Sequence, residues 1–196
     1  EIRLSLVGSE MCIRDSHGHV FDWDYFADAA FPPSDKGRSS APLGVSRVAT
    51  IAKQVRAEQG ADSVVMLDNG DTIQGTPLTY LSAKQPEKLG HDEVMARAFN
   101  LVGYDAANIG NHEFNYGVAE LFRYHNDLKA PLLCANVIDV KTGKPLTQGS
   151  LMLTKNVAGH EVKVGIVAVT TPAQWCGTRQ TLSLIHISEP TRLRRI

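Results

Sequence analysis

Apolar residues change their period several times along the chain. From Gly44 to Gln59 they recur three and four apart, at Val45, Val48, Ala49, Ala52 and Val55. That spacing predicts an amphipathic helix, and Gly60 supplies its stop. Ser63 to Leu67 (SVVML) is a short β-branched run that predicts a buried strand. It leads directly into the turn sequence Asp68-Asn69-Gly70-Asp71. The same order then repeats. A helix is predicted over His91 to Val102, a brief strand over Ala106 to Ile109, a helix over Val118 to Leu128 and a strand over Pro131 to Val137. Leu151 to Val157 and Glu161 to Thr170 alternate about Ala158-Gly159, a hairpin signal. Asp22 to Ala41 mixes aromatics, Pro and Ser, and reads as a loop or insertion ahead of the first helix. Strand alternating with helix predicts a layered α/β domain, which the terminal hairpin makes mixed.

Two polar clusters follow apolar strands without a gap: LDNGDTIQGTP, carrying Asp71, and NIGNHEFNYG, carrying Asn111 and His112. Sites in open α/β sheets gather outside the carboxyl ends of strands. Asp, His and Asn at such ends, with His17, can converge on one point. A carboxylate has two oxygens and can bridge two cations, while imidazole and carboxamide complete the shells. Mixed N and O ligands without thiolate suit manganese, zinc, iron or cobalt. Two such ions neutralise a phosphate and activate a water for in-line attack. Gly70 and Gly110 allow sharp turns that aim the next side chain into the site.

The two ends of the chain carry a different signal. Leu182 to Arg192 (LSLIHISEPTR) can be encoded by a DNA whose reverse complement, in a shifted frame, encodes Leu6 to Ser16. Both ends read as a translated sequencing adapter, so residues 1–16 and 182–196 are set aside as adapter-derived. Residues 17–181 are then expected to be an incomplete domain. Five of the 20 Lys+Arg and four of the 21 Asp+Glu lie in those tails, leaving 15 basic against 17 acidic, net −2. That balance offers no surface for a nucleic-acid polymer. The basic TRLRRI terminus belongs to the tail. Cys134 and Cys176 show neither metal spacing nor a disulfide framework, and Cys134 within PLLCANV reads as a buried thiol. No apolar run reaches the roughly 18 residues of a membrane span.

The motifs also carry a resemblance. Asp15-Ser16-His17, Gly70-Asp71 and Gly110-Asn111-His112-Glu113 in that order resemble the calcineurin-like metallophosphoesterase superfamily. DNGDTIQGTPL, GNHEFNYG, NVIDVKTGKP and FDWDYF are similar to one branch of it, the bacterial 2′,3′-cyclic-nucleotide 2′-phosphodiesterase/3′-nucleotidase family. The likeness runs from His17 to about Pro172. It implies a layered sandwich of mixed β-sheets flanked by helices, truncated on its C-terminal side. It also implies two divalent metal ions and a nucleotide substrate. Asp15 and His17 would then bind the first metal, Asp71 would bridge, Asn111 would bind the second, and His112 would act catalytically beside the phosphate. Asn115 stands where related 5′-nucleotidases have an Asp that orients the histidine. Glu113 is expected to be structural, near a helix N-terminus. Among the remaining residues of this region, His19 reads as supporting or surface, His125 and His160 as surface, and Trp23, Tyr25 and Phe26 as core packing. The resemblance further implies export to the periplasm or cell wall, later histidine ligands, and a C-terminal nucleotide-binding domain beyond this chain. Weak metal binding and little activity are expected of the chain by itself. Other readings stay open: a 5′-nucleotidase or UDP-sugar hydrolase, a related di-manganese hydrolase, or a non-catalytic domain of the same fold.

Overall fold

The structure is a computed structural model that describes residues 16–30, 43–90 and 92–171, with the backbone of 185–187. Asp15, His91 and Cys176 lie outside the described residues.

Three short parallel strands form the centre. They are β3 (Leu67–Asp68), β4 (Ala106–Asn108) and β5 (Leu132–Leu133), hydrogen-bonded in that order, with Leu67 opposite Ala106 and Ala107 opposite Leu132. The first strand is shorter than SVVML suggests. Ala61–Ser63 is a 3-10 turn, and β4 begins only at Ala106, so Val64 and Val65 have no ladder partner. Four helices lie between the strands or precede them: α1 (Val45–Gln59), α2 (Pro77–Lys84), α3 (Val94–Val102) and α4 (Val118–Asp127). Three match predicted helices. The periodicity misses α2, because it is short and its apolar positions form no stripe. Its cap was nevertheless legible: Thr76 is the N-cap, Pro77 opens the first turn, and the Thr76 and Thr79 side chains bond each other's backbone N–H.

Helices α1, α3 and α4 bury Val48, Met95, Phe99, Leu121 and Tyr124 with Phe114, Ile109 and Leu132 in one core. Tyr104 stacks on Phe99, with ring centroids 4.1 Å apart. Cys134 is buried as a free thiol, as expected. The hairpin β7 (Ser150–Val157) and β8 (His160–Val167) turns at Ala158 and Gly159, both at positive φ. It forms its own ladder and meets the parallel sheet through Ala106, Leu133 and Ala168. Before the helices, β1 (Trp23–Asp24) pairs with β2 (Ala29–Ala30). The segment predicted as one strand over 131–137 divides into β5 and β6 (Val137–Asp139). The latter pairs with β9 (Ile185–Ile187), which lies inside the stretch read as adapter. An open strand edge accepts any chain of fitting pattern, whatever its origin.

Glu93 caps α3 from full burial, its Oε2 accepting Ala96 N–H at 2.7 Å while Oε1 has no partner. Burial pushes this carboxyl up to about 8 from 4.5. Between those values the folded chain holds a proton that the unfolded chain has lost. The stability due to this group is therefore complete below pH 4.5 and is lost as pH rises through about 8. Urea midpoints are expected to fall across that range, and Glu93→Gln to make the fall shallower; an unchanged slope would show that Glu93 ionises normally.

Candidate metal centre

The turns that follow β3 and β4 stand side by side at the carboxyl ends of neighbouring strands, so Asp71 and His112 face each other by topology. The N-terminal segment docks beside them: His17 N–H donates to Asp71 O at 2.9 Å and Gly18 N–H to Thr72 O at 2.8 Å. His17, Asp71 and His112 come together so that one ligand atom from each lies within 4.8 Å of the others. It is the metal-capable His/Cys/Asp/Glu group found among the described residues. The His17 and His112 rings meet edge to face, with centroids 5.1 Å apart.

Each side chain is held by a partner that limits its protonation or direction. His17 Nδ1 lies 3.2 Å from the Gln74 carbonyl, which can only accept, so the ring proton is on Nδ1 and the Nε2 lone pair is available to a cation. Asp71 sits at φ 56°, and its Oδ1 accepts the His112 N–H at 2.8 Å, leaving Oδ2 open. Positive φ at both His17 and Asp71, neither a glycine, marks backbone held against its preference at this site. Asn115 Nδ2 donates to His112 Nδ1 at 2.9 Å, so with this amide orientation the His112 proton is on Nε2. Asn111 is half-buried at the head of the 3-10 turn His112–Phe114.

Glu113 lies in the first turn of the 3-10 helix His112–Phe114. Its carboxylate is completely buried between the loops that follow β3 and β4. Oε2 accepts Gly110 N–H and Asp71 N–H, both at 2.7 Å, and Oε1 accepts the N–H groups of Thr72 and Ile73. Burial pushes the carboxyl up, against the pull of those donors. Asp68 is likewise buried, and burial followed by the Glu113 charge pushes it up to about 8. It accepts Gly70 N–H and the Thr72 hydroxyl within its own turn.

Two other expectations need correction. Trp23 and Phe26 are not core residues: they are 37% and 87% exposed. Among the described residues, no second layer covers this two-residue strand pair. His125 is half-buried, not on the surface, because α4 turns that face toward its neighbours; His160 is exposed as expected. Sequence reasoning also missed Gly75. A Cβ there would collide with the His17 backbone.

The fold and strand-end loops define a calcineurin-like phosphoesterase. The solved structure of the calcineurin-like phosphoesterase YfkN from Bacillus subtilis superposes with a TM-score of 0.70 at 26% identity, covering 89% of this chain and 52% of that one. The chain belongs to that superfamily. Within it, the chain is 37% identical to a 2′,3′-cyclic-nucleotide 2′-phosphodiesterase/3′-nucleotidase of Yersinia enterocolitica and 32% identical to one of Haemophilus influenzae. Each match covers 81% of this chain but only 23% of the relative, so the chain spans about a quarter of their length. No protein-family model matches it. No helix among the described residues is long and apolar enough to cross a membrane.

Proposed function

We propose that the chain is the N-terminal part of a two-metal phosphoesterase acting on 2′,3′-cyclic nucleotides and 3′-nucleotides. The observation that carries this reading is the convergence of His17, Asp71 and His112 at adjacent strand ends, with ligand atoms within 4.8 Å. The donor set fits divalent ions of the manganese, zinc, cobalt or iron type: one imidazole nitrogen with its tautomer set, one carboxylate with a free oxygen, and no thiolate. His17, Asp71 and Asp15 would hold one ion, and Asp71 with Asn111 the other. Bound there, the ions supply charge neutralisation at the phosphate and an activated water.

The protein's own groups do the remaining work. His112 carries its proton on Nε2 and donates it to the leaving oxygen, which otherwise departs as an alkoxide. Asn115 holds that ring by its amide in place of a carboxylate. Residues 1–16 and 182–196 are adapter translation in this reading, and residues 17–181 an incomplete domain. The parent protein is exported, carries further histidine ligands, and reads its nucleotide with a C-terminal domain; this chain alone binds metal weakly and turns over little.

Mn²⁺ titration during thermal unfolding tests the site. Metal that binds only the native state stabilises it by about 2.7 kcal/mol at a hundredfold excess over Kd. The shift is expected in the unsubstituted chain and absent from Asp71→Asn and His17→Ala. A melting midpoint that ignores saturating Mn²⁺ would sink the reading.

A further inference from the structure

The turn that carries His112 is fixed at its start. There the His112 N–H donates to Asp71 Oδ1, and the Glu113 and Phe114 side chains are buried. Its end is more open. Asn115, Tyr116 and Gly117 follow, and the chain swings into α4 with Gly117 at φ 96° and space around it. Asn115 is the residue of that end which reaches the cluster. Its Nδ2 meets His112 Nδ1 at 2.9 Å, while its Oδ1 is buried without a hydrogen-bond partner. An amide bonded at one edge does not fix its own direction, so the backbone that carries it must do so.

Tyr116 is placed to hold that backbone. Its ring meets Tyr80 edge to face, with centroids 6.2 Å apart and an angle of 69°, a favourable aromatic geometry. Lys84 Nζ lies over the same ring, 5.8 Å from its centroid. Tyr80 and Lys84 are four residues apart on α2 and share one side of it. Burial pushes the Tyr116 hydroxyl up, and the Thr79 hydroxyl and Gly75 N–H pull it back, so the tip of the ring reaches the start of α2. That start holds the other histidine. Thr76 donates its hydroxyl to the Gly18 carbonyl at 2.9 Å, and Gly75 packs on the His17 backbone so closely that a Cβ would not fit. One helix therefore touches both sides of the cluster: the His17 segment through its N-cap, and the His112 turn through Tyr116.

We propose that Tyr116 is a positioning residue. Held by Tyr80 and Lys84 of α2, it keeps the Asn115 amide on His112 Nδ1 and so sets the His112 ring beside His17 and Asp71. The use of that ring in phosphoester chemistry rests on the phosphoesterase reading; the clamp itself does not.

The test is nitrogen–nitrogen scalar coupling across the Asn115–His112 hydrogen bond. It is recorded by NMR on the isotope-labelled, metal-free 196-residue chain, at a pH where free imidazole is neutral. The coupling is expected in the unsubstituted chain and in Tyr116→Phe, which keeps the ring. It is expected to be lost in Tyr116→Leu, which keeps bulk without the aromatic face. Tyr80 is 56% exposed, so Tyr80→Ala removes one support without opening the core. That variant is expected to weaken the coupling at an unchanged melting midpoint, and it carries the test if Tyr116→Leu does not fold. Full coupling in folded Tyr116→Leu or in Tyr80→Ala overturns the proposal, as does loss from Tyr116→Phe or absence from the unsubstituted chain. Stabilisation by Mn²⁺ reads the metal ligands separately, and it is expected to persist in Tyr116→Leu because Tyr116 supplies no ligand. If the coupling follows the clamp but Mn²⁺ stabilises neither chain, the positioning role stands and the phosphoesterase reading is the one that fails.

Discussion

Glu113→Ala is expected to cost the chain roughly 3–5 kcal/mol, the loss seen when one side of a buried charged network is removed. The carboxylate accepts four backbone N–H groups, from Gly110, Asp71, Thr72 and Ile73. Alanine would leave all four in a buried space with nothing to accept them, and each orphaned donor costs about 1–3 kcal/mol before relaxation. A domain has only about 5–15 kcal/mol in hand, so most of the stability is at stake. The two metal loops are also joined through this one group, so Mn²⁺ stabilisation should disappear even where the variant still folds. Glu113→Gln keeps the shape and one acceptor but turns an NH₂ toward donors; it should fall between the two. Urea unfolding with and without Mn²⁺ measures both effects. An alanine variant within about 1 kcal/mol of the parent, the range of an ordinary substitution, would show that water replaces the carboxylate and that the clamp is not needed.

Gly70→Ala should have the next largest effect, roughly 2–5 kcal/mol, and a control separates its two causes. Gly70 has φ 92°, and its added Cβ would strike the Gly110 backbone in the facing loop. Gly90 has a similar φ of 82° but open space around it. Gly90→Ala therefore reports the conformational penalty alone, about 1–2 kcal/mol. The excess at Gly70 is the cost of pushing the loops apart, and it should be accompanied by loss of Mn²⁺ binding that Gly90→Ala does not show. Equal destabilisation at the two positions would mean that the loops are not in contact as described.

Much of this architecture was readable from period alone. The 3.6-residue spacing over Val45–Val55 and the apolar faces of α3 and α4 mark helices whose buried faces belong to the core. The polar loops after β3 and β4 point to a site because strand ends in α/β sheets are where backbone turns can expose side chains. Boundaries were less readable. A strand ends where its partner ends, as Val64 and Val65 show, and partner length is not written in the strand itself.

Residue type and spacing by themselves determined that His17, Asp71 and His112 are suited to metal chemistry, since imidazole and carboxylate are chosen by their lone pairs and the glycines by the turns they permit. Tertiary structure alone decided how those groups are oriented. Gln74 acts on His17 through a main-chain carbonyl that every residue possesses, so no side-chain pattern announces it. Glu113 reads as a helix-start carboxylate, and only folding adds another loop's N–H groups around it, from residues some forty positions earlier. The aromatic hairpin is the same case with the opposite sign. Trp23 and Phe26 have side chains that could pack in a core, and among the described residues no layer covers them on the two short strands and their turn. Local sequence sets what each side chain can do; contacts across long sequence separations set which of those capacities is used, because burial and hydrogen-bond pairing depend on what arrives from elsewhere in the chain.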